Sequence, residues 1–508
     1  MKESNSLANL WKNEDWMTVW LGFLILIIFI AGLKFVMPQW NWMNDETFTG
    51  KITAKVAKVE ALKVEAENSG ENELKDNLVL LRSAIDENKR PAIAEAAGKV
   101  EASLKNVKNK DLQKKSEKLA VDIKKMAGAT LTKIFSMKNL TQALYLLIGL
   151  LIITVIGIAV MGASVGQYSI GFPVIFLLAA LSFFVAGNAT ISYYGLEVVF
   201  WALIFGLFIS NTVGVPSWLT PAVKTEYFIK IGLVLLGAEV LFTTMAKVGI
   251  YGMIQAVIVI FAVFYFCVWV ARKMGLDDEF ASILGSAVSI CGVSAAIAAG
   301  GAIKGDPKKV SHTISLVLLC AVPMLILEPI IAAAIGLSPA VTGAWLGGTI
   351  DTTGAVVAAG AISGDEAMSV AVLVKMAQNV LIGVVAFILA IWFSLKGKST
   401  GEKPSAKEIW TRFPKFVLGF IVASLVFSFF MTETSAKGIT GITSGIRTWL
   451  FTLAFLCIGL ETKFKDLVAM GSGKPAAVFF TAQAFNIVWT LIFAYLIFGG
   501  ILFAVPKL

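Results

Sequence analysis

One histidine and four cysteines in 508 residues leave little material for metal, redox or triad chemistry. Cys267, Cys291, Cys320 and Cys457 each lie in an apolar run and form no C-x-x-C pair, which excludes a disulfide framework and a zinc site. The lone His312 permits no Ser-His-Asp arrangement except around itself, and haem or histidine-rich metal chemistry lacks ligands. Charge is also scarce: 15% of residues are charged against 57% hydrophobic, which excludes an ordinary soluble enzyme and points to a membrane protein. No Walker motif is present, so any transport must draw on an ion gradient, and no cofactor is expected beyond a coupling Na+ or H+.

The charge that exists is concentrated. Of 77 charged residues, 33 lie between Asp45 and Phe135. Aromatics are missing from that region: residues 49–134 hold no Phe, Tyr or Trp, while Lys, Glu, Ala, Val and Leu recur with helical spacing, as in Val56, Val59, Leu62 and Val64 or Leu119, Val121, Ile123 and Met126. Breaks at Glu67-Asn68-Ser69-Gly70 and Lys89-Arg90-Pro91 divide it into two or three arms, which predicts a helical hairpin or small bundle outside the membrane over residues 45–138. Without aromatics its core is thin, so self-association, docking on another protein or on the membrane part, and a fluctuating solvated state all stay open. Lys105, Lys108 and Lys110 alternate with Glu101, Asp111 and Glu117, a solvated face rather than a nucleic-acid surface.

Residues 1–44 carry an uncharged stretch from Trp16 to Leu33 bracketed by Trp16, Trp20, Trp40 and Trp42. The mixed charges before it and the absence of a small-residue cleavage site read as a retained transmembrane helix with aromatic anchors. Residues 139–508 form a polytopic core of about twelve segments, near 141–162, 170–188, 194–213, 228–246, 250–271, 280–302, 311–335, 341–362, 368–395, 414–431, 447–462 and 476–503. Basic clusters at Lys396, Lys398, Lys403, Lys407, Arg412 and Lys415, and at Lys463, Lys465 and Lys474, mark cytoplasmic loops and place the charged island outside. Lys304, Lys308 and Lys309 oppose that count unless 280–302 or 341–362 is re-entrant. The net charge of +9 is read in the same way, as an orienting excess rather than a nucleic-acid footprint.

An internal match links Gly237-Ala-Glu239 with Gly459-Leu-Glu461 and continues through Phe242/Phe464 and Gly249/Gly471 at a constant offset. On the span count the two lie on opposite faces, as in an inverted-topology repeat.

Two stretches place small and hydroxylated residues at membrane depth: Gly285 to Ala296, containing Ser289, Cys291, Gly292, Val293 and Ser294, and Gly347 to Ala355, containing Thr349, Asp351, Thr352 and Thr353. A helix broken inside a membrane survives only where protein or an aqueous cavity satisfies its backbone. The start of a half-helix, with free N–H groups and hydroxyls, suits an anion. Close helix packing through small residues is the plainer reading of such a stretch. Asp351 is a candidate for carrying H+ or Na+, since a carboxylate in an apolar run normally faces a cavity or partner. Lys375 is a candidate partner for Asp351 or for an anion, or snorkels to an interface. Glu239 and Glu461 are candidates for ion coupling or for helix-end structure. Glu328, before Pro329, is read as marking a kink, and His312 as an interfacial residue.

From about Leu144 to Phe503 the chain resembles the YeiH-type family of bacterial inner-membrane proteins proposed to export sulfate. The resemblance rests on Val215-Pro216-Ser217-Trp218-Leu219 followed by Ile231-Gly232-Leu233-Val234-Leu235-Leu236-Gly237-Ala238, on Ser289-Ile290-Cys291-Gly292-Val293-Ser294-Ala295, on Val356-Val357-Ala358-Ala359-Gly360, and on Arg412-Phe413-Pro414-Lys415-Phe416-Val417-Leu418-Gly419-Phe420. It implies a multi-pass inner-membrane transporter with inverted repeats, compatible with a homodimer, that moves sulfate or a related sulfur-containing anion. The chain departs from the family pattern at Asp351-Thr352, where a His-Asp pair is expected, at Ala355 in place of Gln, and at Gln378 or Asn379 in place of Arg. These changes remove a titratable group and a bidentate anion clamp and count against sulfate itself and against proton coupling. The first helix and the charged island lie outside the resemblance.

The expected fold is thus an all-α polytopic bundle with inverted repeats, broken Gly/Ser/Thr-rich segments and a helical soluble insert. The expected function is non-enzymatic: secondary transport of a small anion by alternating access. A sodium-coupled carrier of an organic acid or a cation, and a membrane-anchored interaction or sensory protein acting through the insert, are the rivals. Expected partners are membrane lipid and the small anion, not nucleic acid.

Overall fold

A computed structural model describes residues 10–193, 198–395, 413–463, 465 and 473–506. In chain order its longer helices are α1 Glu14–Ile30, α2 Asp45–Thr53, α3 Val56–Asn68, α4 Asn72–Asp86, α5 Arg90–Ser103, α6 Lys110–Gly128, α7 Met137–Val160, α8 Val165–Ala186, α9 Val198–Thr212, α10 Thr225–Gly237 and α11 Phe242–Lys273. They continue as α12 Asp278–Ser289, α13 Gly292–Ala302, α14 Pro307–Ala334, α15 Pro339–Thr349, α16 Thr353–Ser363, α17 Asp365–Val380, α18 Ile382–Leu395, α19 Lys415–Phe429, α20 Glu433–Glu461 and α21 Lys474–Phe498. The protein is an all-α polytopic membrane protein. Among the described residues the only β pairing is an isolated bridge between Trp42 and Asn188, and seven helical stretches are long and apolar enough to cross a bilayer.

Several expected segments differ. The segment near 228–246 is not one helix: α10 ends at Gly237, Leu241 is extended, and α11 starts at Phe242. Two serines of α19 explain the stop, since Ser424 Oγ donates to Val240 O (2.6 Å) and Ser428 Oγ accepts from Phe242 N–H (2.9 Å). The segment near 447–462 is the second half of the 29-residue α20. α14 runs as helix through Pro323 and Pro329, the second of which follows Glu328. Most of the basic loop from Lys396 to Arg412, and Phe464 and Gly471 of the internal match, lie outside the described residues.

Compactness divides the chain into two units, one covering Val36–Leu147 and Phe183–Leu196, the other Met1–Phe35, Ile148–Ser182 and Glu197–Leu508. In the first, the charged island has five longer helices, α2 to α6, and one short helical turn at Leu131–Ile134, rather than two or three arms. The further breaks fall at Ala54-Lys55 and at the 3-10 turn Leu104–Asn106. Leu74, Leu78, Leu81 and Ile85 of α4, spaced to share one face, belong with Leu112, Leu119 and Ile123 of α6 to a single apolar core. The aromatic the island lacks is supplied at its edge by Phe48, which is 1% exposed. Arg90 lies 4.4 Å over the Phe48 ring and donates to Met43 O and Ala129 O, both at 3.0 Å.

In the second unit, close helix approach is set by glycine. A Cβ on Gly459 of α20 would stand 2.5 Å from Leu203 O, and one on Gly206 of α9 would stand 2.3 Å from Leu456 O, so these helices meet backbone to backbone. Gly237, the other glycine of the internal match, meets Phe420 O in the same manner at 2.4 Å.

Candidate functional site

Both small-residue stretches are broken helices. Between α12 and α13 the chain is extended at Cys291 (φ −145°, ψ 96°), and between α15 and α16 it is extended at Ile350 (φ −71°, ψ 127°) and Thr352 (φ −118°, ψ 142°). The breaks meet: Gly292 N–H donates to Asp351 O at 2.8 Å. Gly292 has no room for a side chain there, since a Cβ would lie 2.2 Å from Val317 Cγ1.

Each break frees carbonyls at the end of one half-helix and N–H groups at the start of the next. Side-chain donors from unbroken helices serve the carbonyls. Lys375 Nζ donates to Ile290 O (2.6 Å), Gln378 Nε2 to Gly348 O (3.0 Å), Gln483 Nε2 to Thr349 O (2.9 Å) and Asn486 Nδ2 to Val288 O (3.1 Å). All four donors are buried. Such substitution is what irregular backbone at membrane depth requires.

The N–H ends open elsewhere. Cys291, Val293 and Ser294 at the start of α13, and Thr352, Thr353 and Gly354 at the start of α16, line one cavity of about 890 Å³. At the α16 start, Thr352 Oγ1 accepts from Ala355 N–H (3.2 Å), and Asn379 Nδ2 donates to Thr353 Oγ1 (3.2 Å). Two helix starts facing one cavity provide aligned N–H dipoles without a buried cation, an arrangement that can hold a small anion. Elsewhere the wall carries Lys224 and Lys230 beside Glu14, Asp15, Glu226 and Glu461. Lys230 Nζ bonds Glu14 Oε1 (2.9 Å) and Asp15 Oδ1 (2.8 Å), which ties the first helix into this wall.

Of the residues singled out in the sequence, Cys291, Val293, Ser294, Thr352, Thr353 and Glu461 therefore share the cavity wall. Ser289, Gly292, Thr349, Asp351 and Lys375 lie in the buried layer formed by the crossing itself, and Lys375 bonds backbone and Gln378 Oε1 (3.0 Å) there. Glu239 stands apart, accepting from Arg447 Nε at 2.9 Å. Glu461 accepts from Thr225 Oγ1 at 2.9 Å. These two contacts, at matching separations along α10 and α20, show that the helices run antiparallel, so their two Gly-x-Glu ends point in opposite directions. His312 meets Phe280 edge-on.

Gln255, which donates from Nε2 to Ala344 O of α15 at 2.8 Å, was not singled out in the sequence, nor were Gln483 and Asn486 or the contribution of Glu14 and Asp15. The signal for the first three is an amide isolated in an apolar helix; nothing local marks the other two.

The family described as conserved hypothetical protein 698 matches residues 170–478. The chain is 38% identical to UPF0324 membrane protein RB9488 of Rhodopirellula baltica, over 96% of this chain and 91% of that one. A UPF0324 membrane protein of Nitratidesulfovibrio vulgaris is 32% identical, over 97% of this chain and 95% of its own length. Matches of that extent include the first helix and the charged island, which are thus shared with these relatives rather than private additions. The UPF0324 inner membrane protein YeiH of Escherichia coli is 26% identical over 60% of this chain and 84% of its own. No solved structure matches. Two crossed, broken helices within an all-α membrane bundle are thus the setting of a chain that belongs to the UPF0324 membrane protein family.

Proposed function

We propose that this protein is a secondary transporter of a small anion in a bacterial inner membrane, acting by alternating access and not as an enzyme. The observation that carries the reading is the convergence of the α13 and α16 starts on one cavity. Helix starts bind anions through N–H groups that need no counter-charge, and their placement at a crossing allows the site to be exposed to one side and then the other as the surrounding helices rock. Sulfur oxyanions are the first substrates to try, because a tetrahedral anion can accept from two helix starts at once. The inner-membrane location is supported by the E. coli relative YeiH, an inner membrane protein.

The carboxylates on the wall favour a second reading, a sodium-coupled carrier of an organic acid, in which Glu461 and its neighbours offset part of the positive potential. Thermal stabilisation of the purified protein by sulfate, sulfite, thiosulfate, taurine and small carboxylates, each with and without sodium, separates the two. The anion that raises Tm is then loaded into liposomes. An absence of stabilisation and of flux for every anion would refute the proposal. Deleting residues 49–134 tests the rival in which the island binds a partner: transport that survives assigns the island a structural or regulatory role. Size-exclusion with light scattering reads out the homodimer that this reading accommodates.

A further inference from the structure

Three buried acceptor oxygens, on two residues bonded to Thr349 and on a third two positions along the chain, have no hydrogen-bond partner. Glu328 Oε1, Asp351 Oδ2 and Gln483 Oε1 are all unpaired, and their residues are 2%, 1% and 2% exposed. The connections to Thr349 are direct for two of them: Gln483 Nε2 donates to Thr349 O at 2.9 Å, and Glu328 Oε2 lies 2.7 Å from Thr349 Oγ1. Asp351 follows two residues later, at the break. Buried acceptors left bare cost free energy, and two bare carboxylate oxygens cost the most.

The Thr349 hydroxyl cannot cure this. Trp345 O also lies 2.7 Å from Thr349 Oγ1, and a hydroxyl carries one proton, so at most one of the two acceptors is served. Charge gives the same answer. In this layer Lys375 supplies one ammonium, already bonded to neutral oxygens at Ile290 and Gln378, against the two carboxylates of Glu328 and Asp351. With both carboxylates ionised, one positive charge is missing.

We propose that Glu328, Asp351, Gln483 and Thr349 hold one hard monovalent cation of the sodium class between the two breaks. The donor set is carboxylate, amide and hydroxyl oxygen, the ligand chemistry of a hard cation, and among the described residues no group of three His, Cys, Asp or Glu side chains stands ready for a transition metal. A divalent ion would exceed the deficit. A proton would neutralise one carboxylate and make it a single O–H donor, which serves only one of the two remaining bare acceptors. Bound there, the cation ties Thr349 and the α15 end to α14 and α21, so its presence fixes the break that presents the α16 start to the anion cavity. Glu328, read from the sequence as marking a kink, becomes a ligand, and Glu239, held by Arg447, drops out. The coupling role rests on the transporter reading; occupancy of the site does not.

The test is thermal unfolding of the full chain in detergent, titrated with sodium chloride against potassium and choline chloride at equal ionic strength and without added anion substrate. Tm is expected to rise with sodium alone, and Glu328→Gln to abolish that rise while Glu433→Gln, at an exposed position, keeps it. If Glu328→Gln does not fold, Gln483→Met removes a ligand without changing the charge count, and a weaker sodium midpoint is expected. No sodium-specific rise in the parent protein overturns the proposal, as does a rise that survives both substitutions. Stabilisation by acid alone, lost in Glu328→Gln, also overturns it and assigns a shared proton. A sodium response without anion flux in liposomes keeps the site and refutes the transporter.

Discussion

Gly292 and Asp351 are joined across the two broken helices by a backbone hydrogen bond of 2.8 Å, so the start of α13 is fixed to the turn before α16. One contact therefore orients both half-helix starts that line the cavity. The site is a property of the pair of breaks, and disturbing either should affect both.

Ser294→Asp places a carboxylate in the first turn of α13, where an anion would otherwise approach free N–H groups. Anion-induced thermal stabilisation should be lost, and KM for any transported anion should rise at least tenfold, equivalent to about 1.4 kcal/mol, with sodium-induced stabilisation retained. A carrier of organic cations would show the reverse, and flux measured in both directions separates them.

Gly459→Leu drives a branched side chain into the backbone of α9, where even a Cβ would stand 2.5 Å from Leu203 O. Overpacking costs about 1–3 kcal/mol or more where backbone must shift. The expected outcome is a lower Tm in detergent, together with loss of activity. Gly249→Leu, in α11 with open space around it, is the control and should change little.

Lys375→Met leaves Ile290 O without its donor and two buried carboxylates without an ammonium. Removing one member of a buried charged group typically costs about 3–5 kcal/mol. Combining it with Asp351→Asn should recover part of the loss, and a double-mutant cycle should give a coupling of about 0.5–3 kcal/mol. Strict additivity would show that the two do not act together.

Phe48→Ala removes the ring at the edge of the island's apolar core and uncovers the Arg90 guanidinium stacked on it. A cost of about 3–5 kcal/mol is expected. Limited proteolysis of the full chain should then cut within residues 49–134 first, while transport activity measured before digestion remains close to that of the parent.

Much of this architecture is legible in the sequence because it depends on local properties. The contrast between charged island and apolar remainder, the breaks at Ser69-Gly70 and before Pro91, and the two small-residue stretches follow from hydropathy, turn chemistry and spacing, which need no partner to take effect. Places where a helix ends because another helix caps it are not legible in this way. The stop after Gly237 depends on Ser424 and Ser428, almost two hundred residues later in the chain.

The same distinction governs the site. Composition and residue order alone determined that this chain enters a membrane and gathers glycine, serine and threonine in two stretches at membrane depth. Only the tertiary structure decided that the interruptions cross at Gly292 and Asp351, that Gln483, Asn486 and Lys375 serve the freed carbonyls, and that Glu328 faces Thr349. A break is a local event, whereas satisfying a broken backbone away from water requires donors and acceptors from whichever helices pack beside it, and those neighbours are chosen by the whole fold.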